Sequence, residues 1–130
     1  MTADEYMTKA FRALASARLL LNDGDFDGAC NRAYYAMFDA AHAALLQSKS
    51  HIDPAETKTH RGLIAAYGKH LIVSGLLTAE TGKSLNRVER VRLLADYTGE
   101  EIDGKTADWA IEQADAFLKA IAQRFAFPVR

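Results

Sequence analysis

One cysteine, Cys30, stands alone in the chain. A single thiol cannot close an internal disulfide, and no Cys/His group offers zinc-ligand spacing. Both points fit a reducing, cytoplasmic setting. Proline is nearly as scarce, with only Pro54 and Pro128. Little therefore interrupts long helices. No apolar run approaches the roughly 20 residues needed to span a bilayer. The acidic opening, Met1-Thr2-Ala3-Asp4-Glu5, lacks the charged-then-apolar order of an export signal. A positive excess is missing too. The net charge is −1 and the pI near 6.4, which argues against tight non-specific nucleic-acid binding but leaves room for a local basic patch.

Standard catalytic patterns are also absent. There is no Gly-rich phosphate loop, HExxH, nucleophile elbow or EF-hand loop. The histidines are His42, His51, His60 and His70. No two stand four residues apart, so no helical metal pair exists, and neither a metal nor a cofactor is expected.

What remains is a 130-residue chain that is 49% hydrophobic and 25% charged. That is enough for one globular domain, residues 1–130, built around one core. Strand alternation and internal repeats are missing, whereas helical periodicity is plain. A first helix starts at Thr2, where Thr2 and Glu5 form a capping-box pattern, and ends at Asn22-Asp23-Gly24. A second, alanine-rich helix covers 25–47, with Phe26, Ala29, Ala33, Met37, Ala40 and Ala44 on one face. A polar loop covers 48–53. A third helix is expected over 55–73, starting at Asp53-Pro54, with Thr57 or Thr59 as alternative caps, and stopped by Ser74-Gly75. A fourth spans 78–95, weakened by Gly82. An acidic loop covers 98–104, and a fifth helix covers 106–125. Short loops predict antiparallel neighbours. The fold class is all-α, an up-and-down bundle of four or five helices.

Three clusters could carry chemistry. On the second helix Arg32, Tyr35, Asp39 and His42 fall within about 80° of one another. They line either a polar cleft suited to phosphate binding or proton transfer, or the solvated side of an amphipathic helix with Arg32 and Asp39 paired to neighbours. The fourth helix carries Arg87, Arg90 and Arg92. Glu89, Arg92 and Asp96 share a face, so Arg92 can pair with either acid. Arg87 or Arg90 either meets a phosphate or joins a structural ion network. On the third helix His60, beside Arg61, is either an anion-site residue or a capping or packing histidine. Lys69-His70 suits the negative end of a helix. Tyr34, Tyr67, Trp109 and Phe117 fall on apolar stripes and read as core.

The block Asn31-Arg32-Ala33-Tyr34-Tyr35-Ala36-Met37-Phe38-Asp39-Ala40-Ala41 resembles a signature, R-x-Y-Y-A-M-F-x-A-A, of one HEPN subfamily, the small nucleotidyltransferase-associated proteins of bacteria and archaea. Thr59-His60-Arg61-Gly62-Leu63 is similar to its T-H-x-G-L helix start. Arg92-Leu93-Leu94-Ala95-Asp96-Tyr97 is similar to its R-x-x-A-D-Y block. The closing helix, with Ala114 and Phe117, also fits.

The resemblance implies a helical bundle that commonly dimerises. It also implies a separately encoded minimal nucleotidyltransferase as partner, in some cases within a toxin–antitoxin pair. Toxic relatives are metal-independent ribonucleases with an R-x(4–6)-H motif on a late helix, and in some the partner adenylylates a tyrosine just after the histidine. This sequence departs from that pattern. No histidine follows an arginine at that spacing. With Arg90 on the motif arginine, Ala95 takes the histidine's place and Tyr97 that of the modified tyrosine. Alanine transfers no proton.

The leading expectation is therefore a homodimeric binding partner of the transferase, with Arg87, Arg90, Arg92 and Tyr97 as the interface and Arg32 and His60 nearby. The rival is a ribonuclease whose rearranged site takes its cation from Arg90 or Arg92 and its proton-transfer group from His60 or His42. A third expectation is a nucleotide- or substrate-binding module.

Overall fold

The computed structural model describes residues 1–49 and 51–129. Ser50, inside the expected polar loop, lies outside the described residues. Five α-helices run in order among them: α1 (Ala3–Asn22), α2 (Phe26–Gln47), α3 (His60–Tyr67), α4 (Ala79–Thr98) and α5 (Gly104–Phe125). None is long and apolar enough to cross a membrane. The expected all-α bundle is what the chain forms.

Four of the five α-helices, all but α4, start at a side chain that accepts a free amide. Thr2 accepts from the Glu5 N–H at 3.1 Å, while Glu5 accepts from the Thr2 N–H at 3.2 Å, completing the capping box. Asp25 caps α2 and Asp103 caps α5 by the same means. The Asp103 cap starts α5 at Gly104, two residues earlier than expected. At the other end of the connection α4 continues to Thr98, three residues beyond the expected stop. Gly99 ends it in the left-handed region, φ 73°, which glycine enters without a Cβ penalty. The expected acidic loop therefore shrinks to 99–103.

The segment 55–73 is not one helix. A 3₁₀ turn, Pro54–Thr57, is capped by Asp53. The α-helix begins only at His60, where Thr59 accepts from the Gly62 N–H at 2.9 Å. Beyond Tyr67 the chain widens into a π-turn, Gly68–Ile72. The approach of the 3₁₀ turn to α3 at this break needs a glycine. A Cβ on Gly62 would collide with the Glu56 carbonyl oxygen, so the 3₁₀ turn crosses the first turn of α3 at the glycine.

α2 sits at the centre and packs against α1, α3, α4 and α5. Its alanines at positions 29, 33, 36, 40, 41, 43 and 44 are all fully buried. Small side chains let four neighbours approach one axis closely. The larger volume in the core comes from Leu14, Tyr34, Met37, Leu63, Tyr67, Phe117 and Leu118.

Candidate functional site

Because α2 is surrounded, its polar residues have little access to water. Asp39 is only 5% exposed, and Arg32, Tyr35 and His42 are half-buried. The stripe is thus not the solvated side of an amphipathic helix. Nor is it closed by ion pairs: among the described residues neither Arg32 nor Asp39 forms one. Burial raises the Asp39 carboxyl above its ordinary value, against the opposing field of Lys9 and Arg32.

The centre of the polar network is the neighbouring residue, Tyr34, which is completely buried. Its hydroxyl lies 2.8 Å from His60 Nδ1 and donates to Glu89 Oε2 at 3.2 Å. A phenol has one proton to give. With that proton on Glu89, His60 Nδ1 must carry the hydrogen that Tyr34 accepts, which leaves Nε2 as the basic ring nitrogen. The network therefore reads His60 to Tyr34 to Glu89, and it joins α3, α2 and α4. Burial and the Glu89 carboxylate both push the Tyr34 phenol well above its usual range, so it stays protonated as a donor.

Arg92 closes the cluster from above. Its guanidinium carbon sits 4.5 Å from the Tyr34 ring centroid and 5.8 Å from that of Tyr35, a cation–π arrangement. It pairs with Asp96 at 3.5 Å. Its side chain is 12% exposed. Of the two acids available in the sequence, Asp96 takes the arginine, and Glu89 takes the tyrosine instead.

Ring contacts extend the cluster toward α1. His60 stacks on Phe38 at 4.5 Å, Phe38 meets His42 edge-on at 5.0 Å, and His42 stacks on Tyr6 at 4.7 Å. Burial pushes the His42 imidazole below its ordinary value, helped by Lys9 and His60.

The remaining candidates lie elsewhere. Arg90 and Tyr97 face outward on α4, Tyr97 being 93% exposed. Arg87 is exposed and 3.6 Å from Glu80. A surface cavity of about 210 Å³ between α3 and α4 is lined by Arg61, Asn86, Glu89, Arg90, Leu93 and Leu94. Lys69 Nζ and His70 Nε2 lie 3.7 and 3.6 Å from the Glu56 carboxylate, beyond hydrogen-bond reach, and His70 Nε2 is buried without a hydrogen-bond partner among the described residues.

Sequence reasoning placed Tyr35 in the polar set and Tyr34 in the core. The structure keeps Tyr34 in the core and gives it the hydrogen bonds. The available signal was that a buried tyrosine hydroxyl normally finds a partner. Glu89 was visible only as a possible mate for Arg92, and Phe38 went unremarked.

These geometries have company among known proteins. The profile of the HEPN domain matches residues 3–124. The UPF0332 protein glr0978 of Gloeobacter violaceus is 35% identical over 123 residues, 93% of each chain. A UPF0332 protein of Thermotoga maritima is 34% identical, covering 87% of this chain and 83% of its own. A Methanocaldococcus jannaschii protein named "Putative toxin MJ0605" is 30% identical, covering 83% and 77%. With a profile match over residues 3–124 and relatives alike over most of their length, this chain belongs to the HEPN domain family.

Proposed function

We propose that this chain is the toxin-like HEPN member of a two-protein module and works by binding a separately encoded minimal nucleotidyltransferase. In this reading residues 1–130 act as one domain, a homodimer in the cytoplasm. The carrying observation is how α4 divides its residues. Arg92 and Glu89 turn inward to hold Tyr34. Arg87, Arg90, Leu93, Leu94 and Tyr97 are left exposed on the outside. Arginine, tyrosine and leucine together make a surface suited to a protein partner, with an aromatic anchor and a guanidinium. The toxin names of two relatives and the sequence blocks around Arg92 and Tyr97 support the choice of partner.

Co-expression with a minimal nucleotidyltransferase tests it. A complex is expected, and Arg90→Ala or Tyr97→Ala should weaken it at least tenfold while the melting temperature holds. A transferase that co-purifies equally with both variants would remove α4 from the interface. Failure of the wild-type pair to associate would sink the reading.

One observation favours the rival, a metal-independent ribonuclease. His60 is tied through Tyr34 to a buried carboxylate beside Arg92, which fixes its tautomer as a general base requires. RNA cleavage in EDTA decides between the two. Cleavage abolished by His60→Ala, Arg90→Ala or Arg92→Ala would establish the ribonuclease. Intact RNA with folded protein would leave the binding partner.

A further inference from the structure

The outward face of α4 adjoins the cavity of about 210 Å³ lined by Arg61, Asn86, Glu89, Arg90, Leu93 and Leu94. Arg61 comes from α3 and the other five from α4. The volume is below the roughly 300–1,000 Å³ of small-molecule sites, and suits a single side chain better than a whole ligand.

Charge decides what enters. Of the arginines on α4, Arg87 has Glu80 at 3.6 Å and Arg92 has Asp96 at 3.5 Å. Arg90 and Arg61, both exposed, have no ion-pair partner among the described residues. The acid in the lining, Glu89, is 6% exposed and accepts from the Tyr34 hydroxyl instead. Two guanidinium groups against one buried carboxylate leave a single positive excess. A carboxylate matches it and can take parallel N–H bonds from a guanidinium. A phosphate dianion overshoots it beside Glu89. An RNA strand needs a run of cations along its backbone, whereas the wall beyond the arginines is Leu93 and Leu94, 43% and 55% exposed. Leucine suits the methylene stem of an acidic side chain. Asn86 donates to the Gly82 carbonyl at 3.0 Å, which leaves its oxygen to accept a backbone N–H beside that side chain.

We propose that this cavity is a socket for one aspartate or glutamate side chain of a protein partner, with its carboxylate between Arg61 and Arg90 and its stem against Leu93 and Leu94. The socket rests on the reading of α4 as the partner surface, and it carries that surface onto α3.

The test uses the full chain co-purified with the minimal nucleotidyltransferase. Arg61→Gln, at an exposed position, should raise the dissociation constant at least about tenfold, flatten its salt dependence and leave the melting temperature unchanged. Arg61→Lys puts a primary amine at the socket. Zero-length carbodiimide coupling should then join position 61 to one aspartate or glutamate of the transferase, identified by peptide mass spectrometry. Tyr97→Ala, outside the lining, reports on the α4 surface itself. Weakening by Tyr97→Ala but not by Arg61→Gln would overturn the socket and leave the surface standing. A wild-type pair that does not associate would overturn both. The socket also fails if position 61 couples to no acid of the transferase, or if Arg61→Gln spares the transferase and weakens a uridine oligonucleotide instead.

Discussion

The Tyr34 hydroxyl stands 2.8 Å from His60 Nδ1 and 3.2 Å from Glu89 Oε2, so one buried phenol ties the first residue of α3 to the middle of α4. Tyr34→Phe keeps the ring beneath Arg92 and removes only the oxygen. It leaves Glu89, 6% exposed, without its donor. A buried acceptor stripped of its partner costs about 1–3 kcal/mol. Urea unfolding should show a loss of about 2 kcal/mol. Glu89→Leu on top of Tyr34→Phe should cost less than the two single changes added together. A loss under about 0.5 kcal/mol would mean that the hydroxyl contributes nothing net.

The two arginines near the C-terminal end of α4 should separate cleanly. Arg92→Ala removes a guanidinium held over Tyr34 and beside Asp96, at a side chain 12% exposed. We expect a stability loss of about 1–2 kcal/mol. Arg90→Ala, at an exposed site, should stay within about 0.5 kcal/mol of wild type. Thermal melts of both variants, read beside the partner-binding assay, distinguish a surface that binds from one that merely folds.

Gly62 and Gly68, at the two ends of α3, should respond to alanine with opposite signs. Gly62→Ala drives a methyl group into the Glu56 carbonyl and to 2.9 Å from the Thr59 hydroxyl that caps α3. It should cost about 1–3 kcal/mol. Gly68, where the π-turn begins, has a helical φ of −61° and open space within 4 Å of where a methyl group would stand. It makes no use of glycine's freedom. Gly68→Ala should therefore stabilise by about 0.4–1 kcal/mol, chiefly by restricting the unfolded chain. Circular-dichroism melts of the pair give the comparison.

Stability should fall on both sides of neutral pH. Burial pushes the Cys30 thiol up to about 11 from an ordinary 9.0, and the Tyr34 and Tyr67 phenols also rise from 10.0. A folded state that holds protons more tightly than the unfolded chain loses that advantage as pH rises through the raised values. Urea midpoints should decline above about pH 9, and Cys30→Ala should remove the earliest part of the decline. His42 shifts the other way, downward from 6.5. Its contribution is present above 6.5 and fades as pH falls below it. His42→Gln should flatten the profile below pH 6.5, while Asp39, displaced upward from 3.8, works with the opposite sign.

Much of the fold was legible because its signals are local. Thr2 with Glu5, and Asn22-Asp23-Gly24, announce helix ends by chemistry that acts within a few residues, whereas the stop of α4 at Gly99 went unread. The segment 55–73 was misread for the opposite reason. Asp53-Pro54 offers as good a helix start as Thr59, the alternative cap that the structure uses, and the close approach of Gly62 to Glu56 is invisible to a local argument. The site was half legible. His60, Arg92 and Asp96 were named from residue type and spacing. Tyr34 was assigned by its apolar stripe, and a stripe cannot say that a buried hydroxyl will find Glu89, 55 positions away. Asp39 and His42 were left between a polar cleft and a solvated face, because periodicity alone does not show that α2 has neighbours all round.

That enclosure of α2 has a dynamic consequence. Amides in the middle of a helix walled by four others exchange with solvent only when several of those contacts open together. Tyr34 belongs to that stretch, so its bonds to His60 and Glu89 should turn over in the same rare event that frees the slowest amides, not in the quick fraying of helix ends. The outward residues of α4, Arg90 and Tyr97, have no such tether. Slow opening is thus expected on the inner side of α4 and fast side-chain motion on its outer side.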